Sequence, residues 1–306
     1  MVGLGIGLGS VQLIPMLELV TRSFREGSVT FQDVIGWAYP SRQAVTFLVP
    51  DFFGNPAHHG YWDLISRQWQ PAERIFWGIK NYVEAGSYVG ILPLLLAVIA
   101  VIGAFRSREH RRHIVFFAAL AIVSLLLGFG TPLYALLYYG LPGIKQLHSP
   151  FRWVFPYTLS IALLAGFGVK RLMALRRAYG VDEAGAARHP KVYRPWVSIL
   201  TWGAIWGGLA LLAGLLVVLV APEPLVPLAD RFLAAVEQAG QAFSSGEMFL
   251  SYQWRNLLIF ALMLTASGIV LRVSRCPIYL PIPRHPEGRV PVWQPLAVIV
   301  VAVDLL

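Results

Sequence analysis

Seven apolar runs recur along the chain, at about residues 2–20, 87–105, 114–130, 154–169, 196–221, 257–271 and 295–306. Crossing a bilayer takes ~20 mostly apolar residues, and most of the runs reach that length with their flanking aromatics. The last stops at Leu306 after about twelve residues. A helix that ended in mid-bilayer would leave its last carbonyls without partners. The pattern therefore predicts an all-α polytopic bundle over residues 1–306, with about six complete spans and a truncated seventh.

Between the runs, the stretch 21–86 is too long to be a plain connector. Within it, Pro71–Gly86 places Ile75, Phe76, Ile79, Tyr82 and Val83 at helical spacing, which predicts an amphipathic helix lying along the membrane surface. Trp37, Trp62, Trp69 and Trp77 are placed as an interfacial belt. Val45–Asn55 is apolar but broken by Pro50 and Gly54, and is expected to dip into the bilayer or close over a cavity. In the stretch 222–256, Leu228–Phe243 predicts a short surface helix. Tyr179–His189 and Pro281–Pro291 read as linkers.

Composition agrees with the pattern. Of 306 residues, 57% are hydrophobic and 13% charged, with a mean hydropathy of +0.61. Soluble domains carry roughly 25% charged residues, so these values indicate an integral membrane protein. The net charge of +9 does not point to nucleic acid, because the basic residues sit in loops beside apolar runs. Loops 106–113, 170–194 and 272–293 hold 15 Lys and Arg, against 10 in the longer set 21–86, 131–153 and 222–256. Basic short loops stay in the cytoplasm, so the first set is expected inside and the second outside. One cysteine, Cys276, excludes an internal disulfide and a cysteine-cluster metal site. The apolar start has no basic region before it, so no signal peptide is evident.

The candidate chemistry gathers on the outer set. Thr131–Tyr157, between two strongly apolar runs, contains Lys145, His148 and Arg152 within eight residues. Basic groups at the edge of a bilayer either line a polar site or snorkel to headgroups. As a site they would bind phosphate, with Arg22 and Arg25 joining them, since guanidinium matches phosphate oxygens in pairs. Glu84, four residues before Tyr88, would act as a base or orient a hydroxyl; its bland reading is a carboxylate near a helix N-terminus. Glu18 reads as a water-boundary marker. Asp51 would hold a metal or substrate, or serve ordinary turn chemistry after Pro50. The pair His58–His59 lacks metal-ligand spacing and reads as surface loop. No Walker loop, GxSxG elbow or haem-type cysteine pair occurs, and no resident cofactor is implied beyond a possible divalent metal.

Several segments, QLIPMLELVTRSFR at 12–25, FLVPDFFGNP at 47–56, NYVEAGSYVGILPLLLA at 81–97, LLLGFGTPLYALLYYGLPGIKQLHSPFRW at 125–153 and LLAGFGVKRL at 163–172, resemble the YfhO family of bacterial multi-spanning membrane proteins. The likeness covers roughly residues 10–175. It implies a GT-C type glycosyltransferase that uses polyprenyl-phosphate-linked sugars at the outer face of the cell membrane. It also implies that this chain matches a middle or C-terminal portion of that layout. The family's catalytic acid, in its first outer loop, then lies outside the chain, and neither Asp33 nor Asp51 corresponds to it. The expected partners are the lipid bilayer and a lipid-linked sugar donor. The proposed site residues are Glu84 as catalyst, with Lys145, His148, Arg152, Arg22 and Tyr88 binding substrate. A flippase of lipid-linked precursors and a non-catalytic assembly subunit are the alternatives from other classes.

Overall fold

The computed structural model describes residues 2–22, 29–73, 75–84, 86–105, 108–141, 144, 150–179, 195–276, 278–281 and 289–306. Its helices are α1 (Val2–Thr21), α2 (Phe31–Gly36), α3 (Ile91–Ala104), α4 (Arg111–Gly128), α5 (Tyr134–Gly140), α6 (Val154–Tyr179), α7 (Pro195–Val220), α8 (Val226–Ala235), α9 (Glu237–Ala242), α10 (Gly246–Val273) and α11 (Trp293–Leu305). Two small antiparallel hairpins accompany them, β1 (Gly60–Trp62) with β2 (Trp69–Pro71) and β3 (Tyr279–Pro281) with β4 (Arg289–Pro291). The chain is thus mostly helical. Four helical segments are long and apolar enough to cross a membrane: Arg111–Gly128, Pro150–Leu175, Pro195–Val220 and Gly246–Val273. The apolar helices Ile91–Ala104 and Trp293–Leu305 are shorter. At 1.5 Å per residue neither alone matches a hydrocarbon core ~30 Å thick.

Exposed apolar side chains support the membrane reading. Along α7, Ile199, Trp206, Leu216, Val217 and Val220 are all exposed. An apolar surface of that extent is costly in water and suited to lipid.

The chain divides into two compact units. One comprises Met1–Ser41 and Ile122–Pro156. Its core joins Val34 of α2 to Leu127 of α4 and to Tyr134 and Tyr138 of α5. Thr30 caps α2 by accepting the Asp33 N–H at 3.2 Å, and the Tyr138 hydroxyl donates to the Val29 carbonyl.

The second unit comprises Arg42–Ala121 and Tyr157–Leu306 and holds two cores. Leu92, Leu96 and Ile99 of α3 pack with Leu172 of α6, Val197 of α7, Val270 and Leu271 of α10, and Trp293 and Val300 of α11. Near the N-terminal end of α10, Phe53, Ile75 and Trp77 pack with Leu233 of α8, Ala239 of α9, Phe243, and Met248 and Tyr252 of α10. Segments from the stretches 21–86 and 222–256 therefore share one core.

Several expectations need correction. No helix forms over Pro71–Gly86 among the described residues. The chain there runs extended: Trp77 donates its backbone N–H to the Phe53 carbonyl at 2.9 Å, and Phe76 bridges to Gly54. Ile75 and Trp77 are buried in the core while Val83 is 80% exposed. Alternate burial replaces the helical face, because Ile75 and Trp77, two positions apart on an extended chain, enter the same core. Gly54 permits this approach: its φ is +84°, and a Cβ there would stand 2.0 Å from the Ile75 carbonyl oxygen. Trp77 consequently leaves the proposed belt, whereas Trp37, Trp62 and Trp69 are exposed.

The boundary of the 222–256 loop also moves. The last long helix begins at Gly246, well before the apolar run at 257. Ser245 caps it by accepting the Met248 N–H at 3.2 Å. Its first turns carry Ser251, Gln253 and Asn256, which are buried and hydrogen-bonded, so hydropathy alone misses them. The expected surface helix at Leu228–Phe243 is split into α8 and α9. The ends of the Pro281–Pro291 linker pair as β3 and β4.

Asp304, near the end of α11, accepts the Ile91 N–H at 2.8 Å and the Tyr88 hydroxyl at 2.5 Å. It therefore caps α3 from a neighbouring helix, supplying an acceptor that Gly90 at the cap position cannot. Burial first, and the Asp304 bond second, push the Tyr88 phenol above its ordinary range, so it stays a donor. Asp304→Ala leaves both donors unpaired in a partly buried site and should cost about 2–4 kcal/mol. Tyr88→Phe should cost less. Thermal unfolding of both variants in nanodiscs checks the order.

Candidate functional site

The strongest polar constellation lies in the second unit, where the loop 49–59 meets the first turns of α10. Two α10 amides hold the loop backbone in place. Asn256 Nδ2 donates to the Asp51 carbonyl at 2.9 Å, and Gln253 Nε2 donates to the Phe52 carbonyl at 2.7 Å. A third contact, Asn256 Nδ2 to Gln253 Oε1 at 3.3 Å, ties the two amides together. Buried amides that satisfy loop carbonyls fix the loop against a rigid helix.

Asp51 is held in position by this arrangement. Its Oδ1 accepts the Tyr82 hydroxyl at 2.8 Å and Asn55 Nδ2 at 3.3 Å. Asn55 also donates to the Tyr82 oxygen at 2.9 Å. Burial, then the bond and charge of Asp51, raise the Tyr82 phenol, so it remains a donor to the carboxylate. Asp51 Oδ2 faces His58 Nε2 at 4.0 Å, too long for a hydrogen bond but close enough for charge to be felt. His58 Nδ1 bonds the Tyr252 hydroxyl at 2.9 Å.

Burial, more than charge, favours the neutral ring at His58. Burial lowers its pKa first, and the nearby Arg255 guanidinium lowers it further, against a smaller opposing pull from Asp51. The ring therefore stays neutral to lower pH than a free histidine near ~6.5. The result is a half-buried carboxylate with one oxygen committed to Tyr82 and Asn55 and the other left for a substrate. A neutral imidazole stands beside it, and the charge of Arg255 reaches that imidazole. That set can take a proton from a hydroxyl and stabilise a departing anion.

A second carboxylate nearby is structural. Asp63, 5% exposed, accepts the Ile65 N–H at 3.0 Å, Ser66 Oγ at 2.7 Å and Ser251 Oγ at 3.2 Å. Burial pushes its pKa up, but the bonds from Ser66, the Ile65 N–H and Glu247 outweigh it and hold the carboxyl low. Every oxygen is used, so Asp63 pins the hairpin β1–β2 to α10.

The residues expected from the sequence are distributed otherwise. Lys145, His148 and Arg25 lie outside the described residues. Arg152 is exposed on the turn Pro150–Trp153 that leads into α6, and belongs to the first unit. Glu84 is exposed and belongs to the second; its charge partly offsets the lowering of the Lys80 ammonium by burial. Arg22 pairs with Glu18 at 3.0 Å on an exposed face of α1, a type of pair worth little. Tyr88 gives its hydroxyl to Asp304. Asp51, considered in the sequence as a ligand or as turn chemistry, is joined by His58, read there as surface loop. Tyr82, Tyr252 and Arg255 carried no usable signal, because their value comes from a tertiary meeting of two distant stretches. Among the described residues no group of three His, Cys, Asp or Glu is placed to hold a metal ion.

No protein-family model, curated protein or solved structure matches the chain.

Proposed function

We propose that this protein is a membrane-embedded glycosyltransferase that moves a sugar from a polyprenyl-phosphate carrier to an acceptor hydroxyl, with Asp51 as the base. The reading takes the reaction class from the resemblance to YfhO-like proteins and the base from the Asp51 constellation alone, since that resemblance does not match Asp51 to the family's catalytic acid. The observation that carries it is the half-buried Asp51 carboxylate, anchored through Oδ1 and open at Oδ2, beside a His58 that feels the charge of Arg255.

In the proposed step the acceptor oxygen attacks the anomeric carbon as its proton passes to Asp51 Oδ2. The bond from that carbon to the phosphate oxygen breaks, and its electron pair leaves with the polyprenyl phosphate. Arg255 balances the negative charge gathering on that phosphate. His58, neutral and bonded to Tyr252, fixes the side of the carboxylate at which the hydroxyl enters. By charge distribution the site faces outward, in a cell-membrane protein of six or seven spans in which α1, α3 and α11 accompany the four long segments.

Proteoliposomes carrying the full chain, supplied with a panel of polyprenyl-phosphate hexoses and a membrane extract as acceptor source, test this directly. Free polyprenyl phosphate should accumulate for at least one hexose. Donors that stay uncleaved across the panel, or that cross the bilayer intact, would overturn the reading.

A further inference from the structure

At the end of the second unit where α6 passes into the basic stretch after Val169, a cleft opens between α3, α6 and the residues leading into α4. Its enclosed part is small, about 30 Å³, and the rest is open to the surroundings. Lys170, Arg171 and His110 line it together with Phe167, Gly103 and Glu109. Lys170 Nζ meets His110 Nε2 within hydrogen-bonding reach. Glu109 Oε1 stands 3.4 Å from Lys170 Nζ and 3.7 Å from His110 Nε2. The rings of Phe167, His110 and His113 form a triangle: Phe167 is 5.7 Å from His110 and 6.5 Å from His113, which are 6.3 Å apart.

Two backbone features lie at the cleft. His110, which meets Lys170, has φ +54°, a left-handed conformation uncommon for a residue with a side chain. Gly103 of α3 makes room for Arg171: a Cβ there would lie 3.3 Å from the Arg171 Nε. Strain and a missing side chain at one place are characteristic of sites rather than of plain packing.

We propose that this cleft binds a phosphate group, carried by an anionic phospholipid. Lys170 and Arg171 supply the charge and His110 a third polar contact. Glu109, whose side chain is 59% exposed, is free to turn to solvent when the phosphate enters. The lipid is favoured as the source because Ile114, Ala104 and Phe167 wall the cleft on helices that include two long enough to cross a membrane. Acyl chains can follow those helices while the headgroup sits among the cations. Basic pockets between membrane helices commonly hold anionic headgroups. The site stands apart from Asp51 and does not depend on the transferase reading.

The test is binding to the purified full chain, read by native mass spectrometry and by the shift in thermal unfolding. Short-chain phosphatidylglycerol, phosphatidylcholine and inorganic phosphate are the probes. Phosphatidylglycerol should bind in preference to phosphatidylcholine. The Lys170→Gln/Arg171→Gln double variant should lose roughly thirtyfold in affinity, the product of two basic contacts. Arg108→Gln, on the same basic loop but outside the cleft, should bind as the native protein does, and Lys170→Arg should restore most of the loss if the neutral variant folds poorly. Inorganic phosphate binding as tightly as the lipid would still support the phosphate site and assign it to a soluble anion. Equal binding by the double variant, or an equal loss in Arg108→Gln, would overturn it.

Discussion

Asp51→Asn should lower sugar transfer by about 10²–10⁴-fold, the range usual for a lost general base, and leave the protein folded. That loss corresponds to ~2.7–5.5 kcal/mol of barrier. The asparagine oxygen can still accept the Tyr82 hydroxyl and Asn55 amide that now meet Asp51 Oδ1. Its size matches, so the loop stays pinned by Gln253 and Asn256. Only the negative charge and the ability to take a proton disappear. Glu84→Gln provides the contrast, since Glu84 is exposed and outside this network. Transfer rates of the two variants, measured beside their unfolding temperatures, separate chemistry from stability. A silent Asp51→Asn with an inactive Glu84→Gln would move the base to Glu84 and end the present assignment.

The distance between sequence pattern and structure is instructive at three places. Long apolar helices were legible because lipid imposes one requirement on every turn, and α4, α6, α7 and α10 all satisfy it. The start of α10 was not legible. Its early turns bury Ser251, Gln253 and Asn256 against the loop, and a hydropathy window cannot tell a buried, satisfied amide from one in water. The segment Ile75–Val83 was misleading for a related reason. Its apolar spacing fits a helix, yet Gly54 lets the chain pass so close to Ile75 that extended pairing buries Ile75 and Trp77 and leaves Ile79 and Val83 outside. The candidate site divides along the same line. Asp51 shows in sequence as an acid in an apolar stretch, whereas His58 gains meaning only from Tyr252, almost two hundred positions away along the chain.

The close approach of α3 to α6 makes the strongest stability prediction, because one helix contains its own control. Gly168 faces the α3 backbone, and a Cβ built on it would lie 2.1 Å from the Leu96 carbonyl oxygen and 2.7 Å from its carbon. Backbone cannot swing aside as a flexible side chain can, so Gly168→Ala forces the helices apart. Separation loosens the packing of Leu92, Leu96 and Leu172 in the core that also holds α10 and α11. Overpacking of this kind typically costs ~1–3 kcal/mol, and membrane helices rely on small residues for such crossings. Gly166, two residues earlier on α6, has nothing within 4 Å of a Cβ. Gly166→Ala should therefore be neutral or stabilising by up to ~1 kcal/mol, as an alanine removes glycine's backbone freedom from a helix. Unfolding of the two variants in the same nanodisc preparation reads the difference without any assumption about function. If Gly168→Ala unfolds at or above the temperature of Gly166→Ala, the close α3–α6 crossing is not present in the folded protein.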